Sequence, residues 1–189
     1  MNKDATESLK GGEIGIFPTD TAYGIGCRID NINSVRKIYK LRNRPEEKAL
    51  LALVSSLDMA REYVTITEDV KKRLINKYWP GGLTIILNCN IEKVPGIVRA
   101  NGETLAVRWP EHSQLCEIIE EVGVPIVAPS ANFSGQSTPF SIDEVDRTLL
   151  KAVDFIIEGV CTMRGVSTII DATVNPWRIV RQGVVQINS

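Results

Sequence analysis

Short apolar runs that suit strands alternate along this chain with segments whose apolar residues recur at helical spacing. Residues 4–10 read as a short helix stopped by Gly11-Gly12, and Ile14, Ile16 and Phe17 as a buried strand ending at Pro18. Residues 19–26 follow as a turn whose hydroxyls and glycines allow close approach to a small ligand. Asn31 can cap a helix with Ile32, Val35, Ile38 and Tyr39 on its apolar stripe and Arg36, Lys37 and Lys40 outward. Residues 49–54 suit a strand, residues 56–62 and 67–78 two helices, and Trp79-Pro-Gly-Gly82 breaks the chain before a strand at 83–87. Asn101-Gly102 signals a hairpin turn before the alternating strand 104–108. Leu115, Ile118, Ile119 and Val122 mark a helix ending at Gly123. Val124, Ile126 and Val127 then suit a strand covered on both faces, which empties into Ala128-Pro-Ser-Ala-Asn-Phe-Ser-Gly135. Ser141-x-x-Glu144 has the form of a capping box, predicting a helix over 141–150, with strands at 155–157, 167–171 and 178–181 closing the pattern.

This alternation, without repeats or a linker, predicts an α/β fold: a single domain over residues 1–189 with a twisted mixed sheet flanked by helices. The 189 residues and 43% hydrophobic content are enough for a substantial core. Formal net charge is −1, so a polyanion site has to be a local concentration of cations rather than a global field. Cys27, Cys89, Cys116 and Cys161 are far apart, and His112 is the only histidine, which argues against zinc and for reduced thiols. The opening residues are polar, and no apolar run nears the ~20 residues of a membrane span, so a soluble cytoplasmic protein is expected.

Two stretches carry candidate chemistry. Arg42-Asn-Arg-Pro-Glu-Glu-Lys48 concentrates three cations between a helix and a buried strand, as either a solvated helix end or an anion site. Ser130 and Asn132 could offer a hydroxyl and an amide in the crevice beyond a strand's carboxyl end, or merely satisfy local backbone groups. Arg108, at a strand end, is either an ion-pair member or a carboxylate clamp. Gly24-Ile-Gly26 lacks the third glycine of a dinucleotide fingerprint, and no GxxxxGKS/T pattern occurs. His112 suits a surface or capping role, while Asp20 and Asp171 suit turn and strand-end roles better than metal binding.

Taken in order, Phe17-Pro-Thr-Asp-Thr-x-Tyr-Gly-Ile-Gly26, Arg42-x-Arg-Pro-x-x-Lys48, Trp79-Pro-Gly-Gly-Leu-Thr84, Thr104-Leu-Ala-Val-Arg-x-Pro110, Ala128-Pro-Ser-Ala-Asn-x-Ser-Gly135, Ser167-Thr-Ile-Ile-Asp171 and Val180-Arg-x-Gly183 resemble the YrdC-like family of L-threonylcarbamoyladenylate synthases. The resemblance implies one domain with a large concave, cation-lined cavity. It implies that L-threonine, bicarbonate and ATP become threonylcarbamoyl-AMP and pyrophosphate, towards N6-threonylcarbamoyladenosine at position 37 of tRNAs. RNA and a threonylcarbamoyl transferase complex are the macromolecular partners it suggests. Carried over residue by residue, Thr21, Arg108, Ala128 and Ser167 would meet threonine, and Arg44, Lys48, Thr104, Ser130, Asn132, Thr138 and Arg181 would meet ATP.

Three departures stand out. Arg42 replaces the family's usual lysine, Leu53 stands where longer relatives have a threonine-contacting histidine, and the absence of an extension after Ser189 leads us to expect the short, single-domain form.

The implied chemistry needs no protein nucleophile, because a carbamate forms unaided from an amine and bicarbonate and its oxygen can attack the α-phosphate. Catalysis would consist of positioning and charge stabilisation, with Arg42, Arg44, Lys48 and Arg181 supplying the charge. Mg²⁺ is expected to ride on the triphosphate, since no acidic pair stands in the motifs. The alternatives are an RNA-binding module that grips the backbone with the same cations, or a relative acting on another carbamoyl or acyl substrate.

Overall fold

The computed structural model describes residues 3–187; Met1 and Asn2 of the polar opening, and the terminal Asn188 and Ser189, lie outside the described residues. In chain order the elements are α1 (Lys3–Lys10), β1 (Gly15–Pro18), β2 (Tyr23–Arg28), α2 (Ile32–Leu41), β3 (Leu51–Leu53), α3 (Leu57–Tyr63) and α4 (Glu68–Val70). A π-helical turn (Lys71–Ile75), α5 (Asn76–Tyr78), β4 (Leu83–Asn88), β5 (Thr104–Arg108), α6 (Ser113–Val122) and β6 (Ile126–Val127) follow. A 3₁₀ turn (Ile142–Glu144), α7 (Arg147–Ala152), β7 (Phe155–Ile156), β8 (Thr168–Asp171) and β9 (Arg178–Arg181) complete the chain. The strands form one mixed sheet in the order β7-β1-β2-β6-β3-β5-β4-β8-β9, flanked by helices.

Helix starts follow the local chemistry. Asn31, Ser56 and Thr67 each accept a backbone N–H three residues on, so each helix begins where its orphan donors find an oxygen. Gly123, left-handed at φ 77°, ends α6. His112 caps the start of α6 by accepting the Leu115 N–H on Nδ1.

Two expectations are corrected. The capping box does not form: Glu144 takes the Phe140 N–H instead, residues 142–144 make a single 3₁₀ turn, and the helix starts at Arg147 beneath an Asp146 cap. Residues 23–26 are strand rather than turn, because they pair with β1 in register, Phe17 opposite Gly24 and Gly15 opposite Gly26. A Cβ at Gly26 would lie 2.5 Å from the Val127 carbonyl oxygen and 2.7 Å from the Phe17 ring, so the glycine serves close strand approach here rather than a turn.

Strand alternation separates core from cavity. On β5, Leu105 and Val107 enter the main core with α2, α3 and Leu74 of the π-helical turn, while Ala106 and Arg108 point the other way. On β4, Leu83 and Ile85 enter the core and Thr84 faces away. A smaller apolar cluster joins α1 and α6 to Phe17, Leu53 and Ile126. Leu53 alternates with the core residues Ala52 and Val54, so this cluster covers part of the face opposite the main core, and the cavity occupies another part.

The four cysteines are free, and burial pushes the Cys27 thiol up to about 12. No described helix is long and apolar enough to cross a membrane.

Candidate functional site

The loop after β6 is fixed rather than free. Ile25 donates to the Pro129 carbonyl at 2.9 Å, Ala131 donates to the Tyr23 carbonyl at 2.8 Å, and Gly24 bridges to Ser130, so the β2 ladder holds the loop past the end of β6. Register then aligns the other contributors. Leu51 pairs with Ala106, Thr84 with Ile169, and Ile169 with Arg181, which sets side chains from β3, β5, β4, β8 and β9 on one surface. The cavity thus lies across a sheet face, not in a crevice at the strands' carboxyl ends, because β6 runs antiparallel to both neighbours, β2 and β3.

Thr21, Arg44, Arg108, Ala128, Ser130, Thr138, Ser167 and Arg181 line this cavity together with Arg42. Three carried-over residues stand off the wall. Lys48 is exposed, and its carbonyl accepts from Arg44 Nε at 3.1 Å. Thr104 lies two residues before Ala106, on the same face but outside the cavity. Asn132 is buried behind Ser130, so its amide serves the protein itself.

Asn132 is the hub of one half of the site. Its Oδ1 accepts from the Ser130 hydroxyl and, at 3.3 Å, from Arg42 Nη2, while its carbonyl accepts from Arg42 Nε at 2.9 Å. Its own amide N–H groups go to the carbonyls of Phe133 and Gln136, at 3.1 and 2.8 Å. Arg42 is thereby immobilised as the C-cap of α2, with Nη1 buried and unpartnered. Burial, and secondarily the neighbouring Arg44, push its guanidinium down to about 10, so it remains charged at neutral pH. Arg44 folds back on its own loop, with Nη2 on the Ala49 carbonyl at 2.9 Å.

The other half is a run of hydroxyls closed by arginines. Thr19 Oγ1 accepts from the backbone N–H groups of Thr21 and Ala22, both at 3.1 Å, and lies 3.0 Å from Thr21 Oγ1. Arg108 Nη1 donates to Thr21 Oγ1, and Arg108 Nη2 faces Asp20 at 3.3 Å. Arg181 clamps the Ser167 carbonyl with Nε and Nη2, at 3.0 and 2.8 Å, and reaches the Ser167 hydroxyl at 3.0 Å. Thr84 Oγ1 lies 2.9 Å from that same hydroxyl. Burial lowers the Arg181 pKa first, and the nearby positive charge of Arg108 lowers it further.

The wall therefore carries four guanidinium groups and no carboxylate. Its volume is about 200 Å³, below the ~300 Å³ at which small-molecule sites usually begin, so it is smaller than the large cavity the resemblance implies; Arg44 and Arg181 lie folded onto backbone carbonyls. The arrangement offers fixed cations to an anion beside hydroxyls suited to a small polar molecule. Among the described residues no group of three or more His, Cys, Asp or Glu comes together.

Sequence reasoning placed Thr19 and Tyr23 near a ligand only as part of the stretch 19–26, and missed Thr84 as a wall residue and Asp20 as the counter-ion of Arg108. Strand alternation in Leu83-Thr-Ile85 could have revealed Thr84. Nothing in the sequence revealed that Asp20 is buried with Arg108, since the two are distant in the chain.

Known proteins share both the sequence and the shape. The Sua5/YciO/YrdC family model, described as telomere recombination, matches residues 7–183. Threonylcarbamoyl-AMP synthase of Bacillus subtilis is 34% identical over 164 residues, 87% of this chain and 47% of its own length. The putative threonylcarbamoyl-AMP synthase of Methanocaldococcus jannaschii is 35% identical over 184 residues, 96% of this chain and 84% of its own. The crystal structure of Pyrococcus abyssi Sua5 complexed with L-threonine superposes with a TM-score of 0.89 at 32% identity, over 95% of this chain and 53% of that one. The chain thus spans about half the length of the Bacillus and Pyrococcus proteins.

Proposed function

The chain belongs to the Sua5/YciO/YrdC family, and on that premise we propose that it is a threonylcarbamoyl-AMP synthase acting on L-threonine, bicarbonate and ATP. The observation that carries the reading is the convergence of Thr21, Arg108, Ala128 and Ser167 with Arg44, Ser130, Thr138 and Arg181 on one cavity. These are eight of the eleven residues the sequence resemblance assigns to an amino acid and to a nucleotide. The relatives named threonylcarbamoyl-AMP synthase and the threonine complex of the Pyrococcus protein support the choice of substrate.

The threonine amine and bicarbonate give a carbamate and water. A carbamate oxygen attacks the α-phosphorus of ATP, forming the P–O bond of threonylcarbamoyl-AMP as the bond to the bridging oxygen breaks and pyrophosphate leaves with its electron pair. Arg108 would take the threonine carboxylate, for which its planar fork is suited, and Asp20 would hold that fork in place. Arg42, Arg44 and Arg181 would meet the phosphates, with Arg44 and Arg181 turning from the carbonyls they now hold. Lys48, Thr104 and Asn132 are not cavity-wall groups: Asn132 would act by fixing Ser130 and Arg42, and Lys48 and Thr104 would reach only a ligand extending past the wall.

Lowering of the barrier would come from holding the two reactants in line, on the order of 7–11 kcal/mol in favourable cases, and from the positive charge brought to the phosphates by Arg42, Arg44 and Arg181. Mg²⁺ would be held by the triphosphate, since the wall offers no carboxylate. The product would serve tRNA modification through a separate transferase.

The test is pyrophosphate release from ATP in bicarbonate buffer. Release that requires threonine supports the reading, and release equal to a threonine-free control, from folded protein, excludes it.

A further inference from the structure

We propose that Thr84 is a positioning residue that fixes the Ser167 hydroxyl and so lets the cavity read the side-chain hydroxyl of its amino-acid substrate, an inference that rests on the function proposed above. Thr84 is the second residue of β4 and faces the cavity between two core residues, Leu83 and Ile85. It is 1% exposed, and the hydrogen-bond partner of its hydroxyl is Ser167 Oγ at 2.9 Å.

Proton bookkeeping gives this pair its character. A guanidinium only donates, so Ser167 Oγ is an acceptor towards Arg181 Nη2. The two hydroxyls share one O–H···O bond, which leaves one of their two protons unspent. With Thr84 donating, Ser167 accepts twice and directs its own proton elsewhere, into the cavity it lines. With Ser167 donating, the free proton is on Thr84. In both arrangements the pair presents a single fixed O–H donor.

A substrate hydroxyl accepts that proton; a methyl in its place leaves a buried donor unpaired. A site built to hydrogen-bond a hydroxyl rejects the analogue lacking it far more strongly than an apolar pocket rejects one missing methylene. Thr84→Val keeps the shape and removes the bond, leaving Ser167 Oγ held by Arg181 alone. Thr84→Ser keeps the bond.

The experiment compares the unaltered protein with Thr84→Val and Thr84→Ser, reading kcat and KM for threonine and for ATP separately, threonine affinity by calorimetry, and the threonine-to-valine ratio of kcat/KM. The expected result is that Thr84→Val raises the threonine KM and Kd about tenfold and narrows the threonine-to-valine ratio, with kcat and the ATP KM unchanged, while Thr84→Ser behaves as the unaltered protein. Active Thr84→Val with unchanged threonine KM, or equal impairment of both variants, overturns the assignment and leaves the proposed function standing. Unaltered protein that neither binds nor turns over threonine overturns the proposed function and this inference with it.

Discussion

Arg108 Nη2 lies 3.3 Å from Asp20 Oδ1, and the two side chains are 3% and 0% exposed, so a guanidinium lining the cavity is held from behind by a carboxylate sealed from water. Neither Asp20 oxygen has a well-formed hydrogen bond, so the pairing is electrostatic. Removing one member leaves the other charge buried and uncompensated. Arg108→Ala is therefore expected to cost about 3–5 kcal/mol in chemical denaturation, with the double variant Asp20→Asn, Arg108→Gln recovering part of that loss. A single-variant cost under about 1 kcal/mol would show that the carboxylate is not uncompensated.

Arg44 and Arg181 should differ in their effects. Arg44 touches only the carbonyls of its own loop, whereas Arg181 also holds Ser167. Steady-state kinetics should find that Arg44→Ala raises the ATP KM alone, by about tenfold or more, while Arg181→Ala raises the KM values of both ATP and threonine. An equal effect of Arg44→Ala on both substrates would contradict this division.

Asn132 should matter for stability as well as activity. Asn132→Ala leaves Arg42 Nη2 and the Ser130 hydroxyl without their shared acceptor, which should cost about 1–3 kcal/mol, measured by urea denaturation, and lower kcat/KM for ATP. A stable variant with wild-type kinetics would remove Asn132 from the account.

His112 makes one pH dependence predictable. Burial lowers its pKa in the folded protein, with Asp20 opposing, and its neutral Nδ1 accepts the Leu115 N–H at the start of α6. A depressed folded pKa means that the unfolded chain binds the proton first. The stabilising contribution is therefore complete above the ordinary imidazole pKa and is lost as pH falls through the lower folded value. Urea midpoints should drop across that range, and His112→Asn, which caps without titrating, should flatten the slope. An imidazole NMR titration midpoint at or above the ordinary value would contradict it.

Much of the fold was legible because its causes are local. Asn31, Ser56 and Thr67 announce helix starts by their own side chains, and the alternation of Leu105 and Val107 with Ala106 and Arg108 already separates core from cavity. The capping-box reading of Ser141 and Glu144 failed where two local options compete, since Glu144 satisfies Phe140 and Asp146 supplies the cap. In the site, residues on the wall were named because hydroxyls and arginines recur in ordered motifs. Asp20 behind Arg108 and Thr84 beside Ser167 depend on strand pairings across long stretches of chain, which no motif records.

The most direct test of the account follows labelled bicarbonate by mass spectrometry in a reaction with ATP and threonine. The unaltered protein should form a labelled adenylate carrying one threonine and one bicarbonate carbon, strongly reduced in Arg44→Ala at ATP well below saturation. Folded, threonine-binding protein that forms no labelled adenylate would contradict it.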